Sequence, residues 1–165
     1  MNKLTPAKRA QALQMMAEGI SLRAMTRLTG ISRTTLIKLL EDAGQAFSEY
    51  MDRTLVNLPC KRLQLDEVWA FCYAKQKNVA TAKAAPQGAG DIWTWVALDA
   101  DTKLAASFYV GARDGAAALD FVSDLAPRLA SRVQITSDGH KAYLEAIEET
   151  FGADVDYAQL VKIYG

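Results

Sequence analysis

The sequence has 165 residues, of which 50% are hydrophobic, and its formal net charge is zero. It is long enough to bury a core, but it has no run of about 18 apolar residues and no signal-peptide core at its N-terminus. We therefore expect a cytoplasmic protein without a membrane contact. The two cysteines, Cys60 and Cys72, are too few for a disulfide framework and lack zinc-site spacing, so we interpret both as packing residues.

The zero net charge is the sum of two segments of opposite sign. Residues 1–62 contain ten Lys and Arg against five Asp and Glu, a net charge of +5. Residues 63–165 contain nine against fourteen, a net charge of −5. A basic segment suits contacts with phosphate groups, whereas an acidic segment suits a divalent cation.

The first predicted elements are three short helices. Thr5 is expected to cap the first helix, which ends near Gly19, and Ser21 is expected to cap a second that stops at Gly30. Ser32 is expected to cap the third. Three leucines of this third helix are predicted to face inward: Leu36, Leu39 and Leu40.

A second domain is predicted to follow a further helical or linker stretch over residues 47–59. The segments LQLDEVWAFCYA, DIWTWVALDA and KLAASFYVGA predict an antiparallel meander of three strands. They are followed by a helix in DGAAALDFVSDLAPRLA, a strand in VQITS, a helix in HKAYLEAIEETF and a strand in VDYAQLVKIY. TAKAAPQGAG is predicted to be a surface loop. The expected domains are residues 1–58 and 59–165.

The segment SLRAMTRLTGISRTTLIKLL has the form of a helix-turn-helix. In this motif the first residues of the second helix reach base edges in the major groove, and Arg33 is the best candidate for a guanine. The alternative is a helical hairpin used only for packing or dimerisation, but the basic balance favours DNA. The predicted DNA-binding residues are Ser32, Arg33, Thr34, Thr35 and Lys38.

Two aspartates stand at the predicted strands of the second domain. Asp66 lies inside an extended run, where a carboxylate needs a cation, a hydrogen-bonding partner or solvent, and Asp138 ends the strand VQITS. On neighbouring strands two aspartates can share Mg²⁺, an ion that prefers carboxylate oxygens and keeps several waters. From spacing alone, a solvent-facing edge residue and an ordinary turn at Asp138-Gly139 explain them as well.

Several segments closely resemble insertion-sequence-one family transposases, and the similarity extends over essentially the whole chain. They are LQLDEVWAFCYAKQKN, GDIWTWVALDADTKL, QITSDGHKAYLEAIEETFG and DYAQLVKIYG. The resemblance implies an RNase H-like domain with three acidic residues that bind Mg²⁺ or Mn²⁺ for strand cleavage and transfer. It assigns the first two acids, as catalytic residues and metal ligands, to Asp66 and Asp138.

The third family acid, a glutamate on a later helix, is expected beyond Gly165, so this chain resembles a C-terminally truncated transposase. Three glutamates after Asp138 are instead predicted to form a solvated helix face: Glu145, Glu148 and Glu149. Some family members carry a cysteine-rich zinc module before the helix-turn-helix; this chain begins at the latter, so no zinc is expected.

The expected fold class is α+β or α/β: an N-terminal helix-turn-helix followed by an incomplete RNase H-like domain with a mixed sheet. The expected function is DNA transposition, with transposon ends and target DNA as partners, a homo-oligomer on DNA and a nucleoid-associated location. Cleavage by this truncated chain is not expected. Two alternatives stay open: a DNA-binding repressor or inhibitor of transposition without enzymatic activity, and a decayed fragment without activity.

The remaining polar and aromatic candidates have ordinary structural explanations. His140 suits a contact with a phosphate or beside a metal, but a helix-start histidine satisfied by the backbone is favoured. The tryptophans could stack on bases, although a place in the sheet core is favoured: Trp69, Trp93 and Trp95. Lysines beside the loop fit a DNA backbone or a solvated face: Lys75, Lys77 and Lys83.

Overall fold

The computed structural model describes residues 4–161 and divides the chain into two compact units. Unit 1 is Met1–Thr54 and unit 2 is Leu55–Gly165. Between residues 4 and 161 the chain forms six α-helices and a five-stranded mixed sheet, so its class is α+β.

Unit 1 consists of three helices with capped ends. The Thr5 hydroxyl accepts a hydrogen bond from the Lys8 amide at 3.4 Å, and the Ser21 hydroxyl accepts one from the Ala24 amide at 3.3 Å. Gly30 ends the second helix with φ +70°, a left-handed conformation that glycine adopts without strain. The helices are α1 (Pro6–Ala17), α2 (Leu22–Thr29) and α3 (Arg33–Thr54).

The third helix is longer than the sequence pattern predicts. Residues 47–54 belong to the 22-residue α3 rather than to a further element, because no proline interrupts the helix before Pro59. Leu40 is 49% exposed, so its predicted inward position is wrong. The buried stripe of α3 is formed by residues three apart, Leu36 and Leu39. The core of unit 1 consists of Ala12, Met25, Ile31, Leu36 and Leu39.

Unit 2 alternates strands and helices in its second half. Its strands are β1 (Arg62–Cys72), β2 (Gly90–Asp99), β3 (Ala105–Gly111), β4 (Val133–Asp138) and β5 (Val155–Leu160). Its helices are α4 (Gln76–Val79), α5 (Gly115–Leu125) and α6 (Ala142–Phe151), with a 3₁₀ turn at Ala126–Arg128. The short α4 precedes the predicted surface loop and was not predicted.

The sheet has the strand order β3-β2-β1-β4-β5. The strands β1, β2 and β3 form the predicted antiparallel meander, while β4 pairs with β1, and β5 with β4, in parallel. The helices α5 and α6 supply the crossovers that parallel pairing requires. This topology makes β1 the central strand and β4 its neighbour.

Helices α5 and α6 pack on one face of the sheet. Asp114 caps α5 by accepting a hydrogen bond from the Ala117 amide at 3.0 Å. The core between the helices and the sheet includes Phe121, Val122, Tyr143, Trp95, Leu65 and Ile135. Because strand side chains alternate between faces, every second residue of β1 and β4 projects from the opposite face.

Two local predictions differ from the structure. Cys60 is buried, as expected, but Cys72 is exposed at the end of β1, so its assignment as a packing residue is wrong. The predicted last strand extends to Tyr164, whereas β5 ends at Leu160. Residues 162–164 of that prediction lie outside the described residues.

Candidate active site

The pairing of β1 with β4 brings the two predicted aspartates together. Leu65 and Ser137 are register partners, and both are almost fully buried on the helix-covered face. The next residue of each strand, Asp66 and Asp138, therefore projects from the opposite face. Both line one open groove of about 1070 Å³. Two carboxylates on neighbouring central strands thus share one solvent-accessible surface.

Backbone amides fix one oxygen of each carboxylate. The Glu67 amide donates to Asp66 Oδ1 at 2.8 Å, and the His140 amide donates to Asp138 Oδ1 at 3.0 Å. Asp138 Oδ2 lies 3.7 Å from Arg113 Nη2, beyond a direct hydrogen bond. Each aspartate therefore keeps an oxygen that no hydrogen bond within residues 4–161 occupies.

This donor set fits one hard divalent cation. Mg²⁺ is commonly bound through one or two carboxylates and completes its octahedral shell with water or phosphate oxygens. Asp66 and Asp138 supply two carboxylates beside an open groove. Over residues 4–161 no group of three or more His, Cys, Asp or Glu side chains is arranged to hold a metal ion.

A buried ion pair lies directly behind the aspartates. The side chain of Glu67 is 2% exposed, and its Oε2 accepts hydrogen bonds from Arg113, whose Nε and Nη2 both lie 3.0 Å away. The guanidinium of Arg113 is 36% exposed and reaches Asp138 as well. Arg113 thus joins a buried carboxylate on the helix-covered face to an aspartate in the groove.

Three buried polar atoms near this ion pair have no hydrogen-bonding partner among the described residues: Glu67 Oε1, His140 Nε2 and Tyr143 Oη. The prediction that the backbone satisfies the His140 side chain therefore fails at Nε2. The His140 ring stacks on Trp95, with ring centroids 5.7 Å apart. Burial, followed by the nearby Glu67 carboxylate, raises the pKa of Tyr143 well above its ordinary value. This shift favours the neutral form of the Tyr143 hydroxyl.

The other predicted residues of unit 2 are placed as follows. Glu145, Glu148 and Glu149 are exposed on α6, as expected for a solvated face. Trp95 is fully buried and Trp93 is partly buried, but Trp69 is 39% exposed, so its assignment to the core is wrong. All three lysines beside the loop are exposed. Lys75 precedes α4, Lys77 lies within α4, and Lys83 follows α4.

In unit 1, the residues predicted to contact DNA lie at the exposed start of α3. The Ser32 hydroxyl accepts the Thr35 amide at 3.2 Å and also bonds the Thr35 hydroxyl at 2.8 Å. Lys38 pairs with Asp42 at 3.3 Å. Arg33 makes no hydrogen bond or ion pair inside the described part of the chain. The exposed residues are Ser32, Arg33, Thr34, Thr35 and Lys38.

Sequence reasoning did not identify the ion pair of Glu67 and Arg113. The available signal was the alternation of β1, since Glu67 follows Leu65 by two residues and shares its buried face. Arg113 lies in the short connection between β3 and α5, where no sequence pattern predicts its reach.

Comparisons with known proteins give no family assignment. No protein-family model matches the sequence, and a comparison with curated proteins finds no match either. Within the described chain, none of the helices has both the length and the apolar character needed to cross a membrane.

Proposed function

We propose that the chain is a transposase of the insertion-sequence-one type, in which unit 1 binds the DNA ends of the element and unit 2 holds a divalent cation for phosphodiester chemistry. One observation carries the proposal. Asp66 and Asp138, the two residues matched by the family motifs, lie on adjacent central strands and line the same open groove. Separation of the pair on different faces of the sheet would have removed the site.

The topology supports an RNase H-like interpretation of unit 2. Three antiparallel strands are followed by a helix, a parallel strand that ends in the second aspartate, another helix and a further parallel strand. The first aspartate occupies the central strand, and the second occupies the strand beside it. The sequence motifs imply this same order of elements and acids.

The groove residues have a clear division of tasks in such a site. Mg²⁺ or Mn²⁺, when bound, would polarise a phosphodiester and lower the pKa of a bound water or hydroxyl. Asp66 and Asp138 would hold the ion, with their orientation fixed by the amides of Glu67 and His140. Arg113 and Lys141 also line the groove and would attract the phosphate backbone.

The start of α3 supports DNA binding by unit 1. Ser32 and Thr35 are engaged with each other, whereas the Arg33 guanidinium is free to form a bidentate contact with a guanine or a phosphate. Gly30 ends α2 and α3 begins at Arg33, a short glycine-containing connection of the kind that a helix-turn-helix uses. We propose that α3 is the recognition helix.

A second candidate function is DNA binding without catalysis, which would make the chain a repressor or inhibitor of transposition. It is favoured by the donor set, because the described residues bring two carboxylates and no third His, Cys, Asp or Glu ligand together. This function requires the exposed start of α3 but neither aspartate.

The experiment that separates the two functions uses labelled duplexes from the DNA on either side of the coding sequence. We expect the chain to bind them more tightly than an unrelated duplex of equal length, with an affinity that falls as salt rises. We also expect no strand cleavage with Mg²⁺ or Mn²⁺, because two carboxylates leave a second ion weakly held.

An Asp66→Ala variant provides the control for this assay. It should bind the duplexes as the parent chain does, because Asp66 is not in unit 1. Cleavage by the parent chain that disappears in Asp66→Ala would contradict the expected lack of cleavage and indicate a ligand from a partner subunit. Equal binding to all duplexes at every salt concentration would contradict the recognition of element ends.

A further inference from the structure

We propose that an aromatic surface binds an unpaired DNA base. It lies where β1 and β2 continue past the residues of β1 that pair with β4. We call it the stacking surface and define it by Trp69, Phe71 and Trp93, with Lys75 and Arg113 beside the rings. The inference rests on the proposed function, since it takes the partner to be DNA. It adds a contact for single-stranded DNA that is separate from the helix-turn-helix.

Strand pairing places the three rings of the stacking surface on one face. Trp69 and Trp93 are direct register partners, and Phe71 follows Trp69 by two residues on the same side of β1. The ring centroids of Trp69 and Phe71 are 5.7 Å apart. Trp69 is 39% exposed and Phe71 is 47% exposed, so their rings are open to a partner.

Cations accompany the two tryptophan rings. Lys75 Nζ lies 4.9 Å from the centroid of Trp69, and the guanidinium carbon of Arg113 lies 4.9 Å from that of Trp93. The neighbouring carboxylate, Asp91, is the register partner of Phe71 and accepts the amide of Gln76 at 2.9 Å. The surface therefore combines exposed rings with the ammonium group of Lys75, while the guanidinium of Arg113 is shared with Glu67.

Rings with adjacent cations match the chemistry of single-stranded nucleic acid. Every base has a flat π-face that stacks on an aromatic side chain, and the cations meet the phosphates on either side of it. A paired base inside a duplex does not offer this face. An apolar protein partner would use the rings but would bring no anion to Lys75 beside Trp69.

Arg113 connects the stacking surface to the candidate active site. It packs over Trp93 and also lines the groove that contains Asp66 and Asp138. Along β1, Trp69 lies two residues beyond Glu67, a rise of about 7 Å. The stacking surface lies on the same face of β1 as Glu67, opposite the groove, and Arg113 is a side chain that reaches both.

The test measures binding of a fluorescently labelled oligodeoxythymidine by anisotropy, with the full chain and two matched variants. Phe71→Ala should weaken binding about tenfold, as the loss of one stacked base predicts. Phe108→Ala is the control, because Phe108 is 45% exposed on β3 but pairs with Val96, which lines the groove on the other face of the sheet. This control should bind as the parent chain does.

A second readout is tryptophan fluorescence. Base stacking on Trp69 should quench the emission of the parent chain when the oligonucleotide binds, and the Trp69→Phe variant should lose most of that quenching. Equal affinities of the parent chain and Phe71→Ala, or equal weakening in Phe71→Ala and Phe108→Ala, would overturn the inference. A change in self-association of Phe71→Ala without a change in DNA affinity would overturn it too and indicate a protein interface.

Failure of this inference is distinguishable from failure of the proposed function. Loss of single-strand binding in Phe71→Ala, with selective binding of element ends retained, would support both the stacking surface and the proposed function. Absence of single-strand binding by the parent chain, with end binding retained, would reject only the stacking surface. Absence of selective end binding, with stacking on Trp69 retained, would reject only the proposed recognition by α3.

Discussion

Asp66 and Glu67 are neighbours in sequence, yet they occupy opposite chemical environments. Asp66 projects into the open groove, whereas the side chain of Glu67 is buried against the helix layer. A buried carboxylate is costly unless a cation pairs with it, and Arg113 provides that cation. Because side chains of a β-strand alternate between faces, Asp66 lines the groove while Glu67 forms the buried ion pair with Arg113.

The ion pair behind the site gives a prediction of stability. Arg113→Ala would leave Glu67 buried without its cation, and we expect the free energy of unfolding to fall by about 2 kcal/mol, less than for a fully buried pair because Arg113 is partly exposed. Urea unfolding measures this change. Adding Glu67→Gln to the Arg113→Ala variant should restore part of the loss, because the remaining group is then neutral.

Arg132 provides the matched control for this prediction. It pairs with Asp156 at 2.7 Å, but both side chains are more than half exposed. Arg132→Ala should therefore change the unfolding free energy by less than about 1 kcal/mol. Equal effects of Arg113→Ala and Arg132→Ala, or no recovery in the double variant, would show that Glu67 does not depend on Arg113.

At the scale of elements, α3 carries the prediction for DNA recognition. Arg33→Ala should weaken binding to element ends by about 1–3 kcal/mol and reduce the preference over unrelated duplexes, as the loss of a base contact does. Fluorescence anisotropy with both duplexes measures the two effects together. Equal weakening on both duplexes would make Arg33 a phosphate contact, and no weakening would contradict its place in recognition.

Arg53 is a suitable control, because it lies in the last turn of α3, with its Nε donating to the Glu49 carbonyl at 3.2 Å. Arg53→Ala removes the same charge from the same helix, away from the proposed recognition end. We expect only the small loss that follows from a reduced net charge.

Elements with local signals were predictable from the sequence. The caps at Thr5 and Ser21 and the glycine at position 30 set the bounds of α1 and α2 through contacts within a few residues. The meander followed from the alternation of side chains along its three segments, and in the structure the Thr102 amide donates to the Asp99 carboxylate in the turn between β2 and β3. Such signals do not depend on the rest of the fold.

Features that depend on tertiary packing were not predictable. Trp69 belongs to a strand that continues beyond its buried segment, so the ring stays partly exposed although its residue type suits a core. Leu40 lies beside the buried stripe of α3, and its exposure depends on where the other helices pack. The partners of Glu67 depend on a connection 46 residues away.

At the scale of the whole molecule, the two units divide the charge of the chain. Met1–Thr54 contains eight Lys and Arg against five Asp and Glu, and Leu55–Gly165 contains eleven against fourteen. The exposed start of α3 belongs to unit 1, and the aspartate pair belongs to unit 2. This separation predicts that Arg33→Ala leaves cation binding unchanged and that Asp66→Asn leaves the binding of element ends unchanged.

The central claim is that Asp66 and Asp138 together bind a divalent cation, and Mn²⁺ titration followed by electron paramagnetic resonance tests it most directly. Binding of Mn²⁺ decreases the signal of the free ion, so the affinity is measured without DNA or catalysis. The comparison uses the parent chain, Asp66→Asn, Asp138→Asn and the control Glu149→Gln, which removes an exposed carboxylate of α6.

We expect Mn²⁺ binding to weaken by about tenfold or more in each aspartate variant, because each loses one of two charged ligands, and to stay unchanged in Glu149→Gln. Removal of both aspartates should abolish Mn²⁺ binding at this site. The same Mn²⁺ affinity in the parent chain, Asp66→Asn and Asp138→Asn would contradict the claim that these two carboxylates form one cation site.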